Sequence, residues 1–322
     1  MSRELTEDEI GIVLSAAVHA PSIHNTQPWR FEVQGPVIDV LLDEERMVPL
    51  EDVSGRAAHI GIGAAALNVR VAAAMLGHES RLAVHPDPAR PQVTARVFLF
   101  GRSAPIAGLS SLYGEVTRRH TYRGPLLDHP VPAQVRQLLD DAAHAEDARL
   151  HWLDAESRSG LRTLLRQTDA LELHDEDRLH ERHSWIGGDR SLEGVPQNAL
   201  GPSAARPALV RDLDAGFNSA QRSQAVFESD PSIVVLTTRD EDATAWVRAG
   251  AALQRVLLTA TSFDLAASFL DQLLEHPGPR YQVRELLDGR AWPQMVIRIG
   301  YPAQSVPHSG RRNWRDSLDR WF

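Results

Sequence analysis

The 322-residue sequence is 43% hydrophobic and 24% charged, with a net charge of −9. This composition is typical of a globular protein with one large domain or two of ordinary size. The negative charge argues against a general binder of nucleic acid or anionic membranes. Cysteine is absent, which excludes disulfides, thiolate metal sites and thiol nucleophiles. Lysine is also absent, so any phosphate must be held by arginine, backbone N–H groups or hydroxyls.

The amino-terminal residues contain no apolar leader, and we expect no apolar run in the sequence to be long enough to span a bilayer. We therefore expect a cytoplasmic protein that binds neither membrane nor nucleic acid.

The first hundred residues predict a helix, two strands, a long helix and two more strands. Thr6 with Glu9 forms a capping-box pattern, which predicts a helix that ends near Ala20. Short strand-like runs follow, at residues 30–33, 37–42, 80–85 and 92–100. Residues 59–76 are apolar on nearly all sides, which is typical of a helix buried at the centre of a structure.

A second series of elements follows the Gly/Ser/Pro-rich connector at Gly101. The patterns predict the following: a helix through Arg118, a helix near 132–143, strands at 149–153, 232–238 and 293–302, and a long apolar helix at 245–262. Residues 65–67 match residues 251–253 within the two long helices, which predicts an internal repeat. Residues 184–231, called the lid segment below, are rich in Gly, Pro and Ser and predict a lid, an arm or disorder.

The loop "APSIHNTQPWRFEV" carries a hydroxyl and two amides, at Ser22, Asn25 and Gln27, between Pro21 and Pro28. Amide side chains present a donor and an acceptor together, which suits the edge of a flat polar ring. The prolines restrict the backbone and would pre-position the amides. The alternative is a well-capped structural turn.

The stretch "RRHTYR" places Arg119, Thr121 and Arg123 two residues apart, so that in an extended segment they point the same way. Two guanidinium groups and a hydroxyl would bind a phosphate well. Arg311 and Arg312 follow the last predicted strand and could add further contacts. The alternative is a basic helix end that stabilises its own dipole.

Two other motifs are weak. "GIGAAA" at Gly61 matches a dinucleotide fingerprint, but the apolar pattern places its glycines inside a helix. His174, His180 and His183 lie among carboxylates with no apolar shell, which favours a solvated helix over a metal site. The sequence predicts no metal ligand, and no motif of a hydrolase, a P-loop protein or a zincin occurs.

Together these pieces resemble the nitroreductase family of FMN proteins. The loop is similar to that family's A-P-S-x-x-N-x-Q-P-W-x-F stretch, and "RHTYR" is similar to its R-x-S/T-x-R stretch. The long helix at 245–262, the last strand and the following arginines resemble the family's central helix and carboxyl-terminal region. The resemblance covers nearly the whole chain except the lid segment.

The resemblance implies an α+β, nitroreductase-like fold. Because each half carries motifs that the other lacks, the chain resembles the Acg-type branch, in which two subunits are fused. We expect an internally duplicated pseudo-dimer with antiparallel or mixed sheets packed by long central helices. Its first half would span residues 1–103 and its second half residues 104–322, with the lid segment included. A further homodimer is compatible with this arrangement.

The resemblance also implies one FMN per chain, between the two halves, with NAD(P)H as electron donor and a nitro-compound or quinone-like molecule as acceptor. Residues expected to bind the phosphate are Arg119, Thr121, Arg123, Arg311 and Arg312. Residues expected at the flavin ring are Pro21, Ser22, Asn25, Gln27, Ala267 and Ser268. No side chain is expected to act as a catalytic acid or base, because the cofactor supplies the chemistry.

Two departures from the family pattern leave the activity open. Asp264 stands in "TSFDLAAS" where glycine is usual, and the lysine often found near the ring is absent, although an arginine could replace it. The first hypothesis is therefore an NAD(P)H-dependent oxidoreductase with an open ring face. The alternative is a protein that stores or sequesters flavin, or senses redox state, under a lid in which Trp185 or Phe217 occupies the nicotinamide position.

Overall fold

The computed structural model describes residues 4–101, 108–188, 190–217 and 222–321. Its first half contains α1 (Glu7–Ala17), β1 (Trp29–Gln34), β2 (Val37–Leu42), α2 (Arg56–Met75), β3 (Glu79–Val84) and β4 (Val93–Phe100). The predicted capping box is present, because the Thr6 hydroxyl accepts a hydrogen bond from the Glu9 N–H and the Glu9 carboxylate accepts one from the Thr6 N–H. The four strands pair antiparallel in the order β1-β2-β4-β3.

The rest of the chain contributes a second sheet and further helices. Its elements are α3 (Ala133–His144), β5 (Arg149–Trp152), α4 (Ala155–Glu172), α5 (Glu176–Ser184), β6 (Ser203–Ala204), β7 (Gln224–Ala225), β8 (Ser232–Thr238), α6 (Ala243–Ser262), β9 (Ala266–Phe269), α7 (Gln272–Glu275), α8 (Pro277–Glu285), β10 (Trp292–Gly300) and β11 (Leu318–Trp321). Strands pair antiparallel in the order β5-β8-β10-β9. The last strand, β11, crosses to the first sheet and pairs parallel with β1.

The two sheets have matching connectivity. With β11 left aside, two strands of each sheet precede a 20-residue helix and two follow it, and these strands pair in the same relative order. An internal duplication predicts this match, and the duplication itself stays a prediction. The predicted boundary between residues 103 and 104 lies outside the described residues.

The prediction of a helix through Arg118 is wrong. Residues Ser110–Glu115 form a short 3₁₀ helix, after which the chain turns and becomes extended. Gly108 and Gly114 disfavour a longer helix here, because glycine loses more backbone entropy on ordering than other residues.

The long helices α2 and α6 cross with their backbones in close contact. A Cβ atom at Gly63 would lie 1.9 Å from the Val247 carbonyl oxygen, and one at Gly250 would lie 1.9 Å from the Ile60 carbonyl oxygen. The contact is reciprocal, since each glycine lies three residues after the carbonyl that the other glycine approaches. Gly63 of α2 therefore serves helix packing.

By length and composition, one helix among the described residues could cross a membrane, and that helix is α2. The prediction that the sequence holds no such segment is therefore wrong on those criteria. In the structure, 83% of its most apolar window is buried inside the protein, where it packs against α6 and the first sheet.

Replacing Gly63 with alanine is expected to destabilise the protein by about 3 kcal/mol, because the new methyl group must push two helix backbones apart. Urea unfolding measures this loss. Gly278→Ala is the matched control, since a Cβ there meets nothing within 4 Å and the position is also helical. Equal stability of the two variants would contradict the close crossing.

Candidate functional site

The loop that precedes β1 is held in an unusual backbone conformation. His24, Asn25 and Gln27 have φ angles of 44°, 58° and 54°. Residues other than glycine rarely adopt this left-handed region, and they do so mainly where surrounding contacts over-determine the backbone. Three such residues within four positions indicate a loop that is fixed by its neighbours.

Gln27 supplies one set of these contacts. Its backbone N–H donates to the Ser22 hydroxyl at 3.0 Å, and its amide nitrogen donates to the Leu192 carbonyl at 2.8 Å. Its amide oxygen accepts from the Arg312 backbone N–H at 3.0 Å. Gln27 is fully buried and does not line the cavities described below. The predicted contact between Gln27 and a flavin ring stays a prediction.

Asn25 supplies the other set. Its amide nitrogen donates to the Gly194 carbonyl at 3.0 Å and to the Gly310 carbonyl at 3.1 Å. Its amide oxygen is buried and has no hydrogen-bond partner among the described residues. The loop is thereby tied both to the lid segment and to the chain that leads into β11, with one acceptor unused.

Two adjoining cavities are lined by residues from distant parts of the chain. They enclose about 940 and 640 Å³ of space between protein atoms, part of it open to solvent. Both are lined by the same four residues: Pro21, Ser22, Thr121 and Arg123. We call the larger cavity the ring compartment and the smaller one the basic compartment.

The basic compartment brings together predicted residues from distant parts of the chain. Its lining includes Asn25, Arg119 and Arg311 in addition to the four shared residues. Arg312 does not line it: its guanidinium donates to the Asp316 carbonyl at 3.1 Å. The predicted convergence of arginines therefore holds in space for Arg119, Arg123 and Arg311.

No carboxylate among the described residues lies within 4.0 Å of these three guanidinium groups. Their hydrogen bonds to other described residues go only to backbone carbonyls: Arg119 to His19, Arg123 to Ala199, and Arg311 to Ala20, Ser309 and Gly310.

The electrostatic consequence is a set of destabilised cations. Burial, together with repulsion from Arg311, lowers the pKa of Arg119 to about 9. Burial, then repulsion from Arg211 and Arg311, lowers the pKa of Arg123 to about 10, and burial lowers that of Arg311 to about 10. Buried charges in proteins are normally paired, so this arrangement favours a bound anion.

The ring compartment has apolar walls and is next to β9. Ile23, Ile60, Leu253 and Met295 contribute apolar lining. A bridge between Thr121 and Ala267 brings the "RRHTYR" stretch beside β9, and Ser268 of that strand lines the compartment. The Ala267 side chain is buried behind this surface and is not part of the lining.

Charged residues at the far side of the ring compartment were not found from the sequence. Arg298 and Glu228 form a buried pair with 2.5 Å between Nε and Oε1. Burial raises the pKa of Asp271 to about 7, although the Arg56 cation opposes this shift. Arg56 itself donates to the Gln294 carbonyl at 2.6 Å and lies in no ion pair among the described residues.

The lid segment contributes three residues to the ring compartment, namely Val210, Arg211 and Leu213. Arg211 holds this part of the segment in place, because its guanidinium donates to Glu275 at 2.6 and 2.9 Å. Trp185 and Phe217, the two predicted plugs, lie elsewhere. Trp185 packs against Arg46, and the Phe217 ring stacks on His183 with 4.0 Å between centroids.

A buried ion network supports the loop from behind. Glu51 accepts hydrogen bonds from His24 and from Arg182, and Arg182 also donates to Glu172 at 2.7 Å. Burial favours the protonated form of Glu51, but His24, Arg211 and Arg182 hold its pKa well below the usual value. This network explains how His24 keeps its left-handed conformation.

Asp264, the residue that departs from the family pattern, has a φ of 56° and an exposed side chain that pairs with Arg118 at 2.8 Å. It lines neither compartment. Its carboxylate therefore neutralises Arg118 at the surface.

Comparison with known proteins identifies the family. The sequence model of the nitroreductase family matches residues 116–301. The protein acg of Mycobacterium tuberculosis, named as an NAD(P)H nitroreductase, is 30% identical over 299 residues, which cover 92% of this chain and 90% of that protein. A second M. tuberculosis protein named as an NAD(P)H nitroreductase is 31% identical over 310 residues, 95% of this chain and 89% of its own length. The chain belongs to the nitroreductase family, and is thus an oxidoreductase in class.

Solved structures give a weaker similarity. A nitroreductase with bound FMN from Bacteroides fragilis matches 63% of this chain and 94% of its own, with 14% identity and a TM-score of 0.39. A similarity of this size supports no conclusion about the site.

Replacing Arg119 with methionine is expected to stabilise the ligand-free protein by about 1–3 kcal/mol, because an uncompensated buried cation is removed. We expect orthophosphate to bind the folded wild type and raise its melting temperature, and Arg119→Met should abolish that rise. Urea unfolding and thermal melts in phosphate-free and phosphate buffers measure both effects.

Arg298→Met provides the matched control. It also removes a buried arginine, but it leaves Glu228 unpaired, and we expect a loss of about 3–5 kcal/mol. Destabilisation of similar size in both variants would show that Arg119 is compensated in the folded protein.

Proposed function

We propose that the protein is an FMN-dependent oxidoreductase that binds one FMN per chain across the two compartments. The observation that carries this proposal is the group of three arginines without a carboxylate, directly beside an apolar cavity. Electrons would come from NAD(P)H and pass to a nitro-compound or quinone-like acceptor. The names of the M. tuberculosis relatives support the nicotinamide donor.

The donor set of the basic compartment fits a phosphate monoester. Arg119, Arg123 and Arg311 would hold the phosphate, because guanidinium groups form strong charge-assisted hydrogen bonds to phosphate oxygens. Thr121 would add a hydroxyl donor. The unused amide oxygen of Asn25 would accept a hydrogen bond from a hydroxyl of the ribityl chain.

The ring compartment fits the flat part of the cofactor. Its apolar lining would contact the ring faces, while Pro21, Ser22 and Ser268 would lie at the edges. When bound, FMN would supply the redox chemistry, accepting a hydride at N5 and passing it to the acceptor. We assign no side chain as an acid or base.

Arg56 would supply the positive charge that the absent lysine provides in related proteins. It lines the ring compartment, is buried and lies in no ion pair among the described residues. A cation near the ring favours a reduced, anionic flavin. Arg211 and Arg298 are poorer candidates, because each is already paired with a carboxylate.

Gln27 and Arg312 would not contact the cofactor themselves but would position residues that do. Gln27 accepts from the Arg312 backbone N–H, which fixes the segment that carries Arg311. We propose that both residues position the neighbouring contact groups, and the same holds for Ala267 behind Ser268. The site would be built by both halves, as the proposed fused dimer requires.

Storage or sequestration of flavin is a second candidate function, favoured by the lid segment. Val210, Arg211 and Leu213 line the ring compartment, and the Arg211–Glu275 ion pair holds them there. A nicotinamide ring would need this part of the segment to move before it could reach the flavin. Fast movement would favour the reductase function, and slow movement would favour flavin storage.

Anaerobic titration with NADPH tests the proposed function. We expect the purified protein to show a flavin spectrum at one FMN per chain that bleaches promptly on addition of NADPH. A spectrum that only dithionite bleaches would support the storage function instead. A protein without flavin that takes up none from added FMN would overturn both.

Replacing Arg211 with glutamine tests the role of the lid segment. Loss of the ion pairs to Glu275 and Glu51 should loosen residues 210–213, so flavin reduction by NADPH should be at least about fivefold faster, in line with gating by a mobile lid. Anaerobic stopped-flow absorbance at equal FMN content measures the rate. Arg206→Gln is the control, since Arg206 is exposed in the same segment. An unchanged rate in Arg211→Gln would count against gating by this segment.

A further inference from the structure

Three histidines share the basic compartment with the three arginines. His19 follows α1, His120 lies in the "RRHTYR" stretch, and His308 precedes β11. The rings of His120 and His308 are 5.3 Å apart between centroids. Among the described residues no carboxylate lines this compartment. The histidines therefore face cations on one side and the cavity on the other.

Hydrogen bonds to backbone carbonyls settle which ring nitrogen carries the proton. His19 Nδ1 lies 2.8 Å from the Ser15 carbonyl oxygen, and His120 Nδ1 lies 3.0 Å from the Arg118 carbonyl oxygen. A carbonyl only accepts, so Nδ1 must be the donor in both rings. In a neutral ring Nε2 is then an acceptor, which repels the oxygens of a dianionic phosphate.

The ligand-free compartment favours these neutral rings. Burial, together with the cations of Arg311 and Arg119, lowers the pKa of His19 despite its bond to Ser15. Burial, and then His308, Arg119 and Arg123, lowers the pKa of His120 in the same way. A phosphate dianion would reverse the sign of the local field.

We propose that His19 and His120 take up protons when a phosphate monoester enters the basic compartment, each presenting an Nε2–H donor to the phosphate oxygens. FMN binding would thereby be coupled to proton uptake from solvent. This inference rests on the proposed function and adds to it a pH-dependent selectivity for the phosphorylated flavin over riboflavin.

The other charged groups near the basic compartment do not alter the direction of the expected pH dependence. Within the described part of the chain, the titratable groups that line it are the three histidines and the three arginines. The nearby carboxylates of Glu115 and Asp264 pair with Arg118 and line neither cavity. In the ligand-free protein both histidines have a lowered pKa. In the complex each would gain the phosphate dianion as a partner, which would raise its pKa. Affinity is therefore highest below the ligand-free pKa and is lost as pH rises through the pKa of the complex.

The pH dependence of FMN release from the holoprotein tests the proposal. Each histidine that changes state fully makes the affinity fall up to about tenfold per pH unit. We expect the dissociation constant of FMN, measured by the fluorescence of released flavin, to rise about fivefold or more from pH 7.0 to 8.5. The phosphate itself titrates near pH 6, below this range. Riboflavin, which lacks the phosphate, should change less than about twofold.

Variants separate proton uptake from a structural role. Asparagine places an amide donor near the position of Nδ1 but cannot take up a proton. In a His19→Asn/His120→Asn double variant, FMN should still bind, and its pH dependence should fall to that of riboflavin. His129→Asn, an exposed histidine outside the basic compartment, should behave as the wild type.

Calorimetric titration of FMN into flavin-free protein, in buffers with different ionisation enthalpies, counts the protons directly. We expect net uptake at pH 7.5. Tight FMN binding without uptake, or with the same uptake in the double variant, would overturn the inference and leave the proposed function standing. Failure of FMN to bind at any pH would overturn both.

Discussion

The close crossing of α2 and α6 sets the geometry of the whole molecule. Each helix packs against its own sheet, so the distance between the helices fixes the distance between the two halves. Ile60 shows the link to the site, because its carbonyl meets Gly250 while its side chain lines the ring compartment. Leu253 of α6 lines the same compartment one turn further on. The width of the cavity is therefore set by backbone contact between two buried helices.

Charge is organised differently in the two compartments. Around the ring compartment, Arg211 and Arg298 are paired with carboxylates, so those charges are compensated without a ligand. In the basic compartment, Arg119 and Arg311 are not. Burying these cations without a carboxylate among the described residues destabilises the ligand-free protein, and the proposed anion would recover that free energy on binding. Destabilisation of the ligand-free protein would thus add to the free energy with which the anion binds.

Much of the fold followed from local sequence patterns. The capping box at Thr6, the two long apolar helices and most strands were predicted, because each depends on neighbouring residues. The convergence of arginines was predicted from spacing together with family resemblance. The Glu51–Arg182 pair was not, because it joins residues 131 apart and neither belongs to a motif. The lining residues of the lid segment could not be predicted for a related reason: Val210 and Leu213 belong to no motif, and the ion pairs of Arg211 with residues distant in the sequence place them at the cavity.

The passage of the chain end back to the first half has a kinetic consequence. Asn25 donates to Gly310 across 285 residues of sequence, and Arg311 donates to the Ala20 carbonyl across 291. Contacts of such high sequence separation form slowly, because the entropy of closing a long loop must be overcome before they contribute. We therefore expect the basic compartment to be among the last parts of the molecule to assemble during folding. An anion that binds the partly folded site would favour docking of the segment around Gly310 and Arg311, and would thereby accelerate folding.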